Sequence, residues 1–337
     1  MKRSRAVFIS MAAVLAVSSA MAQVGLKKVG QSTMNFQLVS ISPRASAMGE
    51  AFYAVGKGAE SIFFNPAGIV ESGHRFDLKM YITQWIAEIN YIGGALTWDM
   101  GNLGTLGLSF LTVDYGTIHA TGLLAPGEQA SYPQGYKDLG MADNVGAYSF
   151  GVTYGRAITN QFLIGGTMRL AGQNLGRSTL ASGQTNNNAM KLVFDAGVKY
   201  YTDLKSFRFG MAIRNFSSTV KREEIEEQMP IRFTMGAAMD LLDVISPDHS
   251  GGHCLTLAID FLHPNNYSER MNFGLEYTLF GKIALRGGYQ LNQDIASWST
   301  GIGLNTQLGN SGVSIDYSYS NFDIFSGVNR LSVGMAF

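Results

Sequence analysis

The sequence predicts an all-β protein, an antiparallel transmembrane β-barrel of about 14 strands with a short helical N-terminal plug. Three observations carry this prediction. Segments of roughly ten residues alternate apolar and polar side chains, and they recur along most of the chain. Tight turns rich in Gly and Asn alternate with longer links. Beyond the first segment, no apolar run reaches the roughly 18 residues of a membrane-spanning helix.

Residues 1–22 have the features of a signal peptide. Lys2 and Arg3 give a basic start, an apolar stretch follows, and Ala20–Ala22 matches the small-residue cleavage pattern. The alternative, a membrane-spanning anchor, needs roughly 20 apolar residues, and this stretch is shorter. We therefore expect cleavage near residue 22 and export across an inner membrane.

Composition narrows the class of protein. The 25 basic and 25 acidic residues balance, so no nucleic-acid partner is indicated. Cys254 is the single cysteine, which excludes an internal disulfide. An exported chain that is 46% hydrophobic and lacks helical spans is either a secreted β protein or a barrel of the bacterial outer membrane.

The segment before the strands, residues 23–73, is the candidate plug. Ala45, Met48 and Phe52 recur at helical spacing, which predicts a helix that ends at Gly56 and Gly58. A second helical turn is expected over 59–64. It is followed by Asn65-Pro66, where proline is expected to stop the helix. The alternatives to a plug are a lid and a periplasmic helix packed under the barrel.

The barrel itself is expected over residues 74–337. Its predicted strands cover residues 74–84, 88–99, 103–114, 146–157, 161–172, 189–202, 206–216, 230–241, 252–262, 268–280, 282–292, 298–308, 312–320 and 328–337. The last strand alternates up to Phe337, as expected of a strand that closes a barrel on the first. Short periplasmic turns and long external links would place both termini in the periplasm. A secreted β-sandwich also alternates, but its strands are usually shorter.

The polar faces of these strands predict what fills the lumen. A barrel of this size is wider than the roughly eight-stranded kind that side chains alone can fill. The expected lumen wall carries charges of both signs, which suits a polar plug held by hydrogen bonds and ion pairs. These residues are Arg169, Asp195, Lys199, Arg208, Arg214, Arg232, Asp260, Glu276, Arg286, Asp316 and Arg330.

Several short motifs lie in the plug segment and the last strands. They are Arg44–Phe52, Asn65–Gly68, Leu285–Tyr289, Gly301–Leu304, Ile315–Tyr319 and Asn329–Ser332. Together they resemble FadL-like outer-membrane barrels, and more narrowly the PorV/PorQ family associated with type IX secretion. The resemblance spans nearly the whole mature chain and implies a 14-stranded barrel with an N-terminal plug.

Plug and lumen are expected to meet through a small set of residues. These residues are Arg44, Met48, Phe52, Phe63, Phe64, Asn65, Pro66, Arg286 and Asp316. A partner site is expected on the external loop 115–145, because long loops with exposed aromatic residues favour partner contact. Its residues are Leu123, Leu124, Tyr132 and Tyr136. The alternative is a loop folded back over the barrel mouth.

No catalytic constellation, metal site or cofactor motif is expected, so the chain is not predicted to be an enzyme. Asp248, His249, His253 and Cys254 lie close together and include zinc-binding residue types. His253 and Cys254, however, begin a strand and so point to opposite faces. A polar turn is the better interpretation of this stretch.

Two functions follow from this interpretation. The resemblance implies a component of type IX protein secretion, with outer-membrane lipid, secreted cargo proteins and other secretion components as partners. The alternative is a FadL-like channel for hydrophobic small molecules, in which the plug rearranges to open a lateral or luminal path. A channel should show an apolar pocket beside Phe52, Phe63 and Phe64, whereas a secretion component could have a fully occluded lumen. A third hypothesis is a barrel that only anchors a partner.

Overall fold

The computed structural model describes residues 31–142, 144–180, 183–222, 225–245, 252–293 and 296–337. The predicted signal peptide and the first residues of the plug segment lie outside these ranges. Asp248 and His249, considered above as metal ligands, also lie outside them. Within the described ranges, no helix combines the length and apolarity that a membrane crossing requires.

The strands carry the fold. In chain order they are β1 (Phe76–Gln84), β2 (Asn90–Asp99), β3 (Thr105–Asp114), β4 (His119–Gly122), β5 (Lys137–Met141), β6 (Val145–Ala157), β7 (Phe162–Leu180), β8 (Gly183–Tyr201), β9 (Arg208–Phe216), β10 (Val220–Arg222), β11 (Ile225–Glu227), β12 (Arg232–Asp240), β13 (Cys254–Pro264), β14 (Arg270–Leu279), β15 (Ile283–Leu291), β16 (Ala296–Leu308), β17 (Ser311–Phe322) and β18 (Phe325–Ala336). Fourteen of them form a closed antiparallel barrel, which confirms the predicted fold class. The other four form two separate hairpins, β4–β5 and β10–β11.

The barrel closes between its first and last strands. β1 pairs with β18 from Asp77 opposite Ala336 to Gln84 opposite Asn329. Phe76 and Phe337 extend the ladder through two backbone hydrogen bonds of 2.8 and 2.9 Å. This pairing confirms the closing strand predicted from the C-terminal alternation, and it leaves no free sheet edge in the wall.

The two faces of the wall differ as the alternation predicts. On β15, Leu285 points outward and is 52% exposed, whereas its neighbour Arg286 points into the lumen and is 6% exposed. Exposed apolar side chains cover the outer face of nearly every barrel strand. All eleven charged residues predicted to face the lumen are buried. An apolar exterior around a polar interior is the pattern of a wall that meets lipid.

The external links hold more structure than predicted. β7 and β8 continue through the expected 173–188 link and form a long hairpin. The loops 115–145 and 217–229 contain the short hairpins β4–β5 and β10–β11. These additions were missed because polar hairpins beyond the bilayer need no apolar alternation. Between β12 and β13, a short helix spans Leu242–Ile245.

The plug is more irregular than predicted. The expected long helix is wrong, because an α-helix covers only Pro43–Ala47. Gly49 and Glu50 follow with φ of 62° and 63°, and this left-handed backbone ends the helix well before Gly56. Two 3₁₀ helices follow, Gly58–Phe63 and Pro66–Glu71. The first matches the helical turn predicted over 59–64 and ends before Asn65-Pro66, as expected. Pro66 also begins the second helix, since proline fits the first helical position.

The plug segment runs through the lumen from one end of the barrel to the other. The backbone N–H of Thr33 donates to the carbonyl oxygen of Gln228, in an external link, over 3.0 Å. At the opposite end, Tyr201 donates a hydrogen bond to Glu71, close to the short turns. The described chain therefore starts at the long-link end, called the mouth below. The N-terminus of the predicted mature chain, near residue 23, lies outside the described residues.

Candidate functional site

Six charged side chains meet where the plug contacts the wall, and we call them the plug–wall charge cluster. They are Arg44 and Glu60 from the plug with Lys79, Glu276, Arg286 and Asp316 from β1, β14, β15 and β17. Three are cations and three are anions, so the cluster is balanced. Buried ions are tolerated when their charges are paired and hydrogen-bonded.

Glu276 is the shared acceptor of this cluster. Arg44 donates to both of its carboxylate oxygens, with Nε to Oε2 at 2.8 Å and Nη2 to Oε1 at 2.6 Å. Arg286 donates from Nε to the same Oε2 over 2.6 Å and from Nη1 to Asp316 over 2.7 Å. The bidentate contact fixes the plug helix to the wall with defined geometry.

Lys79 links the second half of the cluster. Its Nζ lies 3.6 Å from Glu60 of the plug and 3.6 Å from Asp316 of the wall. Glu60 also accepts a hydrogen bond from the hydroxyl of Ser42, which caps the plug helix. The sequence predictions included Arg44, Arg286 and Asp316 but missed Lys79 and Glu60. Lys79 could have been found, because it alternates with the outward-facing Leu78 and Met80.

Wall side chains also satisfy the backbone of the plug. Asp260 accepts hydrogen bonds from the N–H groups of Phe52 and Tyr53 at 2.6 and 3.0 Å. Lys199 donates to the carbonyl of Gly56 over 3.0 Å, and Arg330 donates to that of Ser40 over 2.8 Å. Irregular backbone at membrane depth is tolerated only where protein or water supplies such partners.

Lumen-facing glycines let the plug backbone lie directly on the wall. A Cβ at Gly274 would lie 2.6 Å from the carbonyl oxygen of Met48, and one at Gly288 would overlap the backbone of Met48 and Gly49. A Cβ at Gly197 would overlap the side chain of Asn65. The sequence analysis did not assign these glycines to the plug contact. A glycine at a lumen-facing position inside a strand indicates that another segment of backbone approaches closely. These contacts could therefore have been predicted from the sequence.

Asn65 holds the sharp turn between the two 3₁₀ helices. Its Nδ2 donates to the carbonyl oxygens of Tyr53 and Val198, each over 3.0 Å. Its Oδ1 accepts from the N–H of Ala67 over 3.1 Å, which caps the helix that begins at Pro66. One side chain therefore joins two parts of the plug to strand β8.

Asn65→Ala is expected to lower the free energy of unfolding by about 2–4 kcal/mol, because two buried carbonyl groups and a helix cap lose their partner. Urea titration of the refolded protein in detergent micelles, followed by tryptophan fluorescence, measures the change. Asn102→Ala, in an exposed short turn, is the control and should leave the midpoint unchanged. Equal midpoints for the two variants would contradict the assigned role of Asn65.

The predicted aromatic residues pack together and leave little space. Met48, Phe52 and Phe64 are fully buried, and the rings of Phe52 and Phe64 meet edge to face at 5.1 Å. Phe63 packs against Tyr81 at 5.6 Å. Phe63 and Phe64 also line a cavity of about 20 Å³ that we call the inner cavity. The pocket expected beside these rings is therefore only large enough for about one water molecule.

Two larger spaces lie on either side of the inner cavity. The mouth cleft, about 440 Å³, is lined by Phe36, Trp85, Tyr91 and Tyr115, among others. The outer-wall groove, about 450 Å³, lies on the lipid-facing side of β1, β2, β3 and β6 and is lined mainly by apolar side chains such as Phe110.

The residues of the predicted partner loop differ in exposure. Leu123 is 98% exposed, Tyr136 is exposed, and Leu124 and Tyr132 are half-buried. Lys137 pairs with Glu128 over 2.7 Å and lies over the ring of Tyr132. Leu123 is therefore in contact with solvent, whereas Leu124 and Tyr132 are partly covered.

The described residues contain no group of three or more His, Cys, Asp and Glu side chains that could hold a metal ion. His253 hydrogen-bonds the hydroxyl of Tyr277 through Nδ1 over 2.9 Å. Cys254 lies 3.6 Å from the hydroxyl of Thr256. His253 and Cys254, the two described residues of the possible metal site considered in the sequence, therefore contact Tyr277 and Thr256.

No protein-family model matches the sequence, and no curated protein matches it. Solved structures do match the fold. The toluene transporter TodX of Pseudomonas putida superposes with a TM-score of 0.53 at 11% identity, covering 87% of this chain and 96% of TodX. A FadL homologue of Pseudomonas aeruginosa gives 0.50 at 10% identity, covering 88% and 97%. At these identities the likeness establishes the fold, and the chain has the fold of the FadL-like barrels.

Proposed function

We propose that this protein resides in a bacterial outer membrane and passes small hydrophobic compounds through a barrel that its plug closes. The arrangement of three spaces carries the proposal: the mouth cleft, the inner cavity and the outer-wall groove are adjacent in series. Neighbouring spaces share lining residues. Val39 lines both the mouth cleft and the inner cavity, while Ser109 and Phe110 line both the inner cavity and the groove.

The mouth cleft has the properties of an entry site. Its volume lies within the roughly 300–1,000 Å³ of small-molecule pockets. Aromatic rings line it, and Trp85 and Tyr91 are 6.2 Å apart between ring centres. Arg222 adds a polar rim and hydrogen-bonds Gln173 over 2.9 Å. The rest of the lining is largely polar and includes Asn35, Gln173 and Glu227, so the rings form an apolar patch where a small molecule that arrives from water would dock.

The plug segment 34–39 is the first barrier below the cleft. Met34 and Phe36 are buried against wall residues, and the 3₁₀ helix Asn35–Leu38 separates the cleft from the inner cavity. A shift of this segment would join the two spaces without breaking the barrel. The plug–wall charge cluster lies deeper and can hold the rest of the plug in place during such a shift.

Strand β3 is the second barrier. Ser109 faces the lumen and Phe110 faces the outer-wall groove, so the wall there is one strand thick. The β3–β6 ladder is continuous from Thr105 opposite Gly155 to Val113 opposite Ala147. This part of the wall is therefore closed, and local opening of β3 would release a compound sideways into lipid. TodX, which shares the fold, is a toluene transporter.

Val39→Trp is expected to lower uptake by roughly tenfold or more, because a large ring between the cleft and the inner cavity raises the barrier by at least about 1.4 kcal/mol. The measurement is the uptake of radiolabelled toluene by cells that lack other hydrophobic channels and express the full chain. Leu124→Trp, in the external loop, is the control and should transport normally. Wild-type uptake equal to that of cells without the protein would reject the channel.

A role in type IX secretion is the second candidate, drawn from the PorV/PorQ resemblance. Its support is the exposed apolar surface of the β4–β5 hairpin, where Leu123, Leu139 and Met141 are all more than half exposed. The tagged protein, purified in mild detergent from native outer membranes, should then carry secreted proteins that share a C-terminal sorting domain. Recovery of the barrel without such proteins would reject this role.

A further inference from the structure

The inner cavity has a chemical character that a route for hydrophobic compounds does not require. We propose that it binds a single halide-sized anion, such as chloride, between the plug and the barrel wall. This site goes beyond the proposed transport function and is tested without any transported compound. The argument rests on the charge, hydrogen bonding and size of the cavity.

Three arginines line the cavity, and no acidic residue does. Arg169, Arg214 and Arg232 project from β7, β9 and β12 and are 6%, 4% and 7% exposed. The other polar lining includes Ser109 and Ser149, whose hydroxyl groups can donate hydrogen bonds. The lining therefore combines three cations, hydroxyl groups and apolar side chains with one amide, Gln37, whose buried Oε1 has no hydrogen-bond partner among the described residues.

The hydrogen bonds of these arginines are incomplete. Arg169 donates from Nη2 to Asp195 over 2.8 Å, and Arg232 donates from Nη2 to the hydroxyl of Tyr53 over 2.8 Å. Arg214 makes a 3.5 Å contact from Nη2 to the carbonyl of Gln37 and also interacts with the hydroxyl of Tyr53. Among the described residues, the Nε–H groups of all three arginines lack an acceptor. A buried donor without an acceptor is costly, so each of these groups favours a nearby acceptor, and all three arginines line the cavity.

The positive charges of these three arginines are also only partly balanced by carboxylates. Within the described residues, Asp195 forms a salt bridge with Arg169, but neither Arg214 nor Arg232 forms one. Glu50 and Asp260 attract Arg232 from a longer distance. Buried guanidinium groups stay charged, and an unpaired buried charge strongly destabilises a protein. A bound anion would supply both the missing negative charge and the missing acceptor. A water molecule would supply only the acceptor.

Size selects the class of anion. About 20 Å³ exceeds the minimum for one water-sized particle and leaves no room for an organic anion with a tail. Chloride and bromide are small enough and accept hydrogen bonds from several donors at once. Because Gln37 and Phe64 of the plug also line the cavity, the anion would join the plug to three strands of the wall.

The test measures whether halide stabilises the folded protein. The full chain, refolded in detergent micelles, is unfolded by urea in sodium chloride, sodium bromide or sodium gluconate at equal ionic strength. We expect higher midpoints in the two halides, rising with the logarithm of halide concentration, since a ligand that binds only the folded state stabilises it by mass action. Equal midpoints in halide and gluconate would overturn the proposal.

Arg214→Met should abolish the difference between halide and gluconate. Arg208→Met is the matched control, because Arg208 is also buried but donates to the carbonyl groups of Ala54 and Ser206, away from this cavity. It should lower stability and keep the halide dependence. A halide dependence that persists in Arg214→Met would overturn the proposal.

If Arg214→Met does not fold, anion binding is tested with crystals of the wild-type protein grown in sodium bromide. An anomalous bromide peak among the Nε atoms of Arg169, Arg214 and Arg232 is expected. Water density without anomalous signal at that position would overturn the proposal.

Discussion

Glu276→Gln is expected to lower the free energy of unfolding by about 3 kcal/mol or more, because it leaves buried Arg286 and half-buried Arg44 without their shared negative charge. Glutamine keeps one acceptor oxygen in place of two, so Arg44 would lose its bidentate contact with the wall, and the amide NH2 group would face a guanidinium group. Urea titration of the refolded barrel measures the loss. Because Arg44 anchors the plug, we also expect a higher ion conductance in planar bilayers.

Glu128→Gln is the control for this variant. Glu128 pairs with Lys137 over 2.7 Å, a distance similar to that of the Glu276 pairs, but the pair lies in the solvated external loop. Exposed ion pairs contribute little because water and salt screen them. We expect an unchanged urea midpoint and an unchanged conductance. An effect as large as that of Glu276→Gln would show that burial in the lumen is not what makes the charge cluster important.

Gly288→Ala is expected to displace the plug from the wall. The added Cβ would overlap the backbone of Met48 and Gly49, and β15 cannot retreat because it pairs with β14 on one side and β16 on the other. Overpacking typically costs about 1–3 kcal/mol, and a collision with backbone lies at the upper end of that range. The plugged state should lose stability, and single-channel recordings should show frequent open events that the wild type lacks.

Gly287→Ala is the matched control at the next position of the same strand. Its side chain would point toward lipid, and no atom lies within 4 Å of the added Cβ. Stability and conductance should therefore match the wild type. If Gly288→Ala also behaved as wild type, close packing of the plug against β15 would not be what closes the barrel.

The wall of the barrel was predictable from local pattern. The strand predicted over 282–292 is β15 at Ile283–Leu291, and the strand predicted over 206–216 is β9 at Arg208–Phe216. Each wall residue faces either lipid or lumen, and successive residues of a strand point to opposite faces. The alternation therefore indicates both where a strand lies and which of its side chains face the lumen. Arg286 could be assigned to the lumen from its neighbours alone.

The plug was much less predictable. The spacing of Ala45, Met48 and Phe52 predicted one helix, yet the helix ends at Ala47 and all three residues are still buried. Inside a lumen, every face of a segment meets protein, so burial imposes no helical period on it. Asp260, Lys199 and Arg330 supply the hydrogen bonds that a regular helix would have made within itself.

Local alternation, turn residues and the closing strand were enough to establish an all-β barrel with a polar lumen and a segment available to fill it. Long-range contacts decided the rest: the path of the plug from mouth to short turns, the partners of Glu60 and Lys79, and the three adjacent spaces. The physical reason is distance along the chain. Strand periodicity is a property of neighbouring residues, whereas Arg44 and Glu276 are 232 residues apart in sequence and meet only when the barrel closes around the plug.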